Sequence, residues 1–382
     1  MADQGRFPVT STYISTTRRS RAAGFLVAGG VLGAVAASAV ATSVAPVPAQ
    51  ALDGCVSSVL GTFKTGSANC SGGGALSLAI AIGANATANV AGGLFDLALA
   101  VGTDSAADTT PTTTTSGSFN VALAWLGASA TAANGNFNIA RALGYGAEAV
   151  SGGSAGAAGD PTGNFNLSRA FGPGAVAQAM NGNFNLARAI GDRSTSVAGA
   201  GGGLQAARAF GYETGARASG GSLQYARSFG YQSVASSTDG MLNVARAGTF
   251  PYLLGGLEGA IAAAGTGNLN FARAVGDGTT ASAGIGNANL AWTGLFTRLN
   301  AANDARALYG NGNIAAIWGN GNTAKAGGTT GTGNDRNLAV VAGQLSSATA
   351  GPGSNNRVVV LGFNKDQSKP ASAAAARAAR QR

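Results

Sequence analysis

Arginine recurs at one position of an internal repeat, as Arg141, Arg169, Arg188, Arg208, Arg227, Arg246 and Arg273. A guanidinium is charged at any physiological pH and presents a planar fork of donors, so a row of them suits carboxylates, sulfates or phosphates. The same position holds Ile80, Leu99 and Leu123 in earlier units, and by parity it shares a face with the large apolar residues. Charge does not sit in a dry core without partners, and the chain's 15 acids are too scattered to pair with the row. Two readings follow. The row is an anion-binding stripe that reaches solvent, or it is a structural ladder bonded to backbone carbonyls, amides or a subunit boundary.

The remaining chemistry is defined by what is missing. The absence of histidine removes Ser-His-Asp and Cys-His nucleophile systems, a histidine base and His-ligated zinc. A hydrolase on stacked β-rungs would need carboxylates clustered on neighbouring rungs. Here Asp192, Glu213 and Asp277 fall singly just after a repeat glycine. Arg193 and Glu213 are expected to meet on adjacent rungs as a surface pair worth at most about 1 kcal/mol. No phosphate loop or metal-ligand cluster is present, so no catalytic residue, metal or cofactor is expected.

These residues are positioned by the repeat. The segment Gly182-Asn183-Phe184-Asn185-Leu186-Ala187-Arg188-Ala189-Ile190-Gly191 recurs from Gly74 onward, with units starting at Gly74, Gly93, Gly117, Gly135, Gly163, Gly182, Gly202, Gly221, Gly240, Gly267 and Gly286, and weaker copies at Gly312, Gly333 and Gly353. The basic period is 19 residues, and insertions at 109–115, 151–161 and 249–264 read as loops, the last with room for a short helix. Apolar residues alternate within a unit (Phe184, Leu186, Ile190), the tenth residue is a glycine suited to a turn, and a second alternation of small residues follows, as in Ala86, Ala88 and Val90. Period two means strand. Each unit is therefore strand, turn, strand, turn, and the fold class is all-β, a parallel β-solenoid (β-roll or β-helix) of about 14 rungs. At ~4.8 Å per rung the stack spans roughly 65 Å. Large residues on one strand are expected to pack against small ones on the other. Asn120, Asn138, Asn166, Asn185, Asn243, Asn270 and Asn289 share the fourth position, with Gln205 and Gln224 between. They are expected to form a ladder of amides hydrogen-bonded along the stack.

Ala79-Ile80-Ala81-Ile82-Gly83-Ala84-Asn85-Ala86-Thr87-Ala88 resembles the head repeat of trimeric autotransporter adhesins, and later units keep part of it, as in Ala189-Ile190-Gly191-Asp192-Arg193-Ser194-Thr195-Ser196. The resemblance spans about 74–300 and implies a left-handed parallel β-roll, a homotrimer and binding to host surface molecules. The chain departs from that family in its period, in the arginine where the repeat has an aliphatic residue, and in the want of a C-terminal membrane β-barrel segment. Composition is also similar to the Gly-, Ala- and Asn-rich exported proteins of actinobacteria.

The N-terminus supplies an address. Arg18, Arg19 and Arg21 precede an uncharged stretch from Ala22 to Ala45, and Ala49-Gln50-Ala51 is a small-residue cleavage site. Residues 1–51 therefore read as a signal peptide cleaved after Ala51. No later segment is long and apolar enough to be a membrane-spanning helix. An even, close pair of cysteines in an exported chain reads as a disulfide, so 52–73 is expected to be an N-terminal cap closed by Cys55–Cys70. The repeat domain follows over 74–362. The last segment, 363–382, is Ala-rich and basic and reads as a disordered tail. The expected function is an exported, non-catalytic cell-surface or cell-envelope scaffold or adhesin, secreted or held at the envelope. Its expected partners are itself and an anionic envelope polysaccharide or host surface molecule, with nucleic acid not expected. The alternatives are a polysaccharide-active enzyme on a parallel β-helix, or an ice- or crystal-binding solenoid.

Overall fold

A computed structural model describes residues 53–110, 117–153, 163–199, 202–249, 259–294, 302–328 and 334–369. The expected signal peptide and its cleavage after Ala51, most of each insertion, and residues 370–382 of the expected tail lie outside the described residues. Those described are all-β, in two sheets of 16 and 15 strands. The chain alternates between the sheets, so every parallel pairing joins strands two places apart in sequence. That is a parallel β-solenoid.

The first sheet opens with an antiparallel hairpin, Gly54–Ser58 and Gly61–Thr65, laid against Leu78–Ile82. Fourteen parallel strands then run from Leu78–Ile82 to Arg357–Phe363. The second sheet runs from Asn69–Gly72 to Asp366–Lys369. Cys55 and Cys70 form a disulfide, which ties the reversed first strand of one sheet to the first strand of the other. Regular structure continues past residue 362, since Asp366–Lys369 is a strand in a segment expected to be disordered.

The interior corrects the expected packing of large against small. Both sheets turn alanine inward: Ala187, Ala207, Ala226, Ala245 and Ala272 of the first and Ala177, Ala218, Ala235, Ala262 and Ala281 of the second are fully buried. Leu186 and Ile190 point the other way, and Phe184 lies at a corner with half its surface exposed. The sheets are close enough for Ser168 Oγ of one to donate to the Ala177 carbonyl of the other. Along these rungs methyl groups fill the narrow gap, while in the last rungs one inward column is Ile317, Val341 and Val360. Alanine therefore selects the interior here because it is small.

The segment 261–264, expected within a loop with room for a helix, is a strand of the second sheet. Ala262 continues an inward alanine column between Ala235 and Ala281, and that packing overrides alanine's helix preference. Two of the weaker repeat starts also move. The buried amides Asn313 and Asn337 take the fourth position, so their units begin at Gly310 and Asn334, not at Gly312 and Gly333. Where the unit's first residue is glycine the reason is local: a Cβ on Gly135 would lie 2.0 Å from the Gly163 carbonyl oxygen of the next rung.

Candidate binding face

The arginine row is assembled by strand register. Arg141 sits opposite Arg169, Arg169 opposite Arg188, and the pairing continues through Arg208, Arg227 and Arg246 to Arg273. The described strands on either side of each insertion stay in register, so seven rungs in succession carry arginine. Leu123 adjoins the column on one side and Trp292 on the other. Six of the seven arginines are exposed and Arg273 is half-buried. The parity inferred from sequence holds, but the face it places them on is the outer one. Each arginine stands between two buried small residues, alanine in every case but Ser168 and Ser228, and its outward neighbours on the strand are apolar: Ile139 and Leu143 for Arg141, Tyr225 and Phe229 for Arg227.

The outer face of the first sheet is thus three columns wide at these rungs, with arginine in the middle and aliphatic or aromatic residues on both sides except at Gly248, which the Phe229 ring adjoins. No strand of this sheet contains Asp or Glu. The acids that lie on strands belong to the second sheet, where Asp108, Glu148, Asp304 and Asp366 occur singly. Among the described residues the ion pairs are Arg193–Glu213, at 3.6 Å as the repeat register anticipates, and Arg306–Asp304 at 2.9 Å. Neither involves the column.

Aromatic rings are what the column touches. The Arg141 guanidinium lies 5.1 Å from the Trp125 ring centre, Arg208 and Arg246 take Tyr225 at 5.8 and 5.6 Å, and Arg227 lies 5.7 Å from Phe229. Such contacts are worth about 0.5–1 kcal/mol each at exposed sites. Arg169 and Arg188 have no described ring this close. They border a shallow depression of about 310 Å³, walled by Leu143, Phe171 and Ile190 and closed at one end by Arg141.

Two rows of amides hold the corner that feeds these strands. The inner row is the expected one, and it is buried. It is hydrogen-bonded along the stack, for the most part from backbone N–H to amide oxygen, with an amide-to-amide bond from Asn337 Nδ2 to Asn313 Oδ1 at 3.1 Å. The backbone N–H of Asn138 donates to Asn120 Oδ1 at 3.1 Å, and Asn138 Nδ2 donates to the Gly163 carbonyl at 2.8 Å. Each side chain thus replaces backbone pairing at a turn where the ladder is interrupted. Asn166 and Asn185 repeat the link to the preceding rung, and so do Asn270 and Asn289 after Asn243. Asn185 Oδ1 is buried without a hydrogen-bond partner, which marks the break where Gln205 follows. At the other end the row begins with Asp96, whose Oδ1 accepts the Asn120 N–H at 2.7 Å. Burial pushes the Asp96 carboxyl up to about 6 against that hydrogen bond.

The outer row was not anticipated. Asn136 N–H donates to Asn164 Oδ1 and Asn164 N–H to Asn183 Oδ1, at 2.7 and 3.1 Å, on the exposed side of the same corner. Between the two rows stand Phe95, Phe119, Phe137, Phe165 and Phe184, with φ of 57–60°. Their rings stack with centroids 4.8–5.1 Å apart. Leu204, Leu223, Leu242 and Leu269 extend the ridge in the same backbone conformation. The signal lay in the repeat itself, because one residue type held at one position on successive rungs must stack on itself.

Among the described residues no three His, Cys, Asp or Glu side chains gather where a metal could bind. No helix among them is long and apolar enough to cross a membrane. Compared with protein-family models, curated proteins and solved structures, the chain gives no match.

Proposed function

We propose that this chain is an exported, non-catalytic repeat protein that serves as a cell-surface or cell-envelope scaffold or adhesin, with the outer face of the first sheet as its display surface. The observation that carries the reading is that face, which has seven arginines in register and no acid on any strand of its sheet. The disulfide supports it, since structural disulfides belong to oxidising compartments. So does the resemblance of Ala79–Ala88 to adhesin head repeats, together with a parallel solenoid of the kind that resemblance implies. A polysaccharide-cleaving enzyme, which requires paired carboxylates, is disfavoured because no two acids on strands are register partners, and of the neighbouring turn acids Asp192 and Glu213 the second is engaged by Arg193.

The test is the location and start of the native protein. Mass spectrometry of the envelope and medium fractions is expected to give an N-terminus at Leu52 with Cys55 and Cys70 linked. A membrane-impermeant amine reagent is expected to label the exposed Lys64, Lys325 and Lys365 on intact cells. An unprocessed chain confined to the cytosol would overturn the reading.

A further inference from the structure

We propose that the outer face of the first sheet is a track for one linear acidic polysaccharide. The polymer lies along the stacking direction with its anionic groups on the arginine column and its sugar rings against the flanking apolar columns. The depression beside Arg141, Arg169 and Arg188 is its tightest subsite. The inference rests on the display-surface reading above and gives its partner a chemistry.

The column dictates a linear ligand. Six register steps join Arg141 to Arg273, so the charges repeat every ~4.8 Å over about 29 Å. Neighbouring guanidiniums lie well inside the ~8 Å screening length of physiological salt, so they repel one another. No acid on the sheet relieves that repulsion. An anionic polymer with a charge repeat of similar size relieves it along the whole column.

The neighbours of the column discriminate among anionic partners. Arginine occupies the middle of the strip with apolar residues on either side. On a bilayer the deepest side chains would therefore be the charged ones, the reverse of the usual interfacial arrangement. Single-stranded nucleic acid is held by stacking bases on aromatic faces. Here Trp125, Tyr225 and Phe229 already carry guanidiniums on theirs. A second copy docked by two-fold symmetry on this face sets arginine against arginine. Docked on the second sheet, it meets only single acids, of which Asp304 is already paired. A sugar ring needs an apolar surface for its C–H face and charge-assisted donors for its acid. Arg169 and Arg188 offer both, being uncovered by rings and set beside Phe171, Leu143 and Ile190 in a space of about 310 Å³.

The experiment is a titration of the purified chain with end-labelled oligogalacturonides, which carry one carboxylate per sugar, read by fluorescence anisotropy. Affinity is expected to rise with oligomer length and to level off once the oligomer spans the column, about 29 Å. Raising salt from 50 to 200 mM is expected to weaken binding by roughly tenfold or more. Methyl-esterified oligomers are expected to bind at least ~10-fold more weakly, because the charge-assisted bonds are gone. The double variant R169Q/R188Q is expected to lose a similar factor with its melting temperature unchanged. R217Q, on the second sheet, is expected to bind as the parent does. Equal binding of esterified and free oligomers, undiminished binding by R169Q/R188Q, or an equal loss in R217Q would each overturn the proposal. A large fall in melting temperature in R169Q/R188Q would also overturn it, in favour of a structural ladder. Tighter, R169/R188-dependent binding of oligo(dT) or of phosphatidylglycerol vesicles would reassign the face. A cytosolic, unprocessed native chain contradicts the proposed function without touching this titration, so the two failures are distinguishable.

Discussion

Asp96 holds the position that asparagine holds in later rungs, and one atom makes the difference. Its Oδ1 accepts the Asn120 N–H as an amide oxygen would, but Oδ2 is buried with no hydrogen-bond partner. In Asn138 and Asn166 that second atom is Nδ2, donating to a glycine carbonyl. The folded chain therefore holds a proton on this acid more tightly than the unfolded chain, with a pKa raised to about 6 by burial. The folded pKa lies above the unfolded one. The stabilising effect is thus complete below about pH 4 and is lost as pH rises through about 6, a change on the order of 3 kcal/mol. Asp96→Asn supplies the missing donor. It is expected to raise the melting temperature at pH 7–8 by several degrees and to flatten its dependence on pH between 4 and 7. Thermal melts of both proteins across that range check this, and parallel pH profiles would contradict it. The arginines were half legible at this scale. Repeat position and parity gave them a common face. Only the alanine-rich interior shows which face is dry, and small residues look alike in sequence whether they fill a narrow core or line a turn.

The corner is the element that sequence reasoning read least completely. Gly-Asn-Phe-Asn reads as a repeat, and the alternation of Phe184 with Leu186 and Ile190 suggests one buried row. The phenylalanine in fact leaves the strand, because its φ near 60° turns it out over the corner. Left-handed backbone costs a non-glycine residue roughly 1–2 kcal/mol. Stacked rings return about 0.5–1.5 kcal/mol each, and the two amide rows fix the backbone on either side. Periodicity reports which residues share a face, but it does not report a dihedral sign, so this conformation was not visible in the pattern. The account makes a prediction that size alone would reverse. Phe165→Val, β-branched in a left-handed conformation, is expected to be more destabilising than Phe165→Gly by at least about 1 kcal/mol. Denaturant unfolding of the two variants decides it, and a glycine variant less stable than the valine one would show that ring stacking, not backbone conformation, governs the corner.

Over the whole of the described chain, unit spacing was enough to anticipate parallel strands and fourteen rungs, because a solenoid is nearly one-dimensional and each unit meets only its neighbours. The register of the later rungs was less legible. Glycine is abundant near Gly310 and Gly333, and only the buried amides Asn313 and Asn337 identify the true frame. The asymmetry between the sheets is a property of the stack alone. Charge is sorted rung by rung until one sheet has no acids on its strands and the other has the few there are. This sorting is what makes a binding face of residues that lie far apart in sequence. The central claim is that arginines separated by insertions of unequal length form one straight, outward column. Spin labels at Arg141→Cys and Arg273→Cys, in a chain whose native cysteines stay linked, measure this directly by pulsed dipolar spectroscopy. Six rungs predict a single narrow distance distribution centred at about 29 Å. A broad distribution, or a narrow one displaced by several rungs, would contradict the column and with it the binding face.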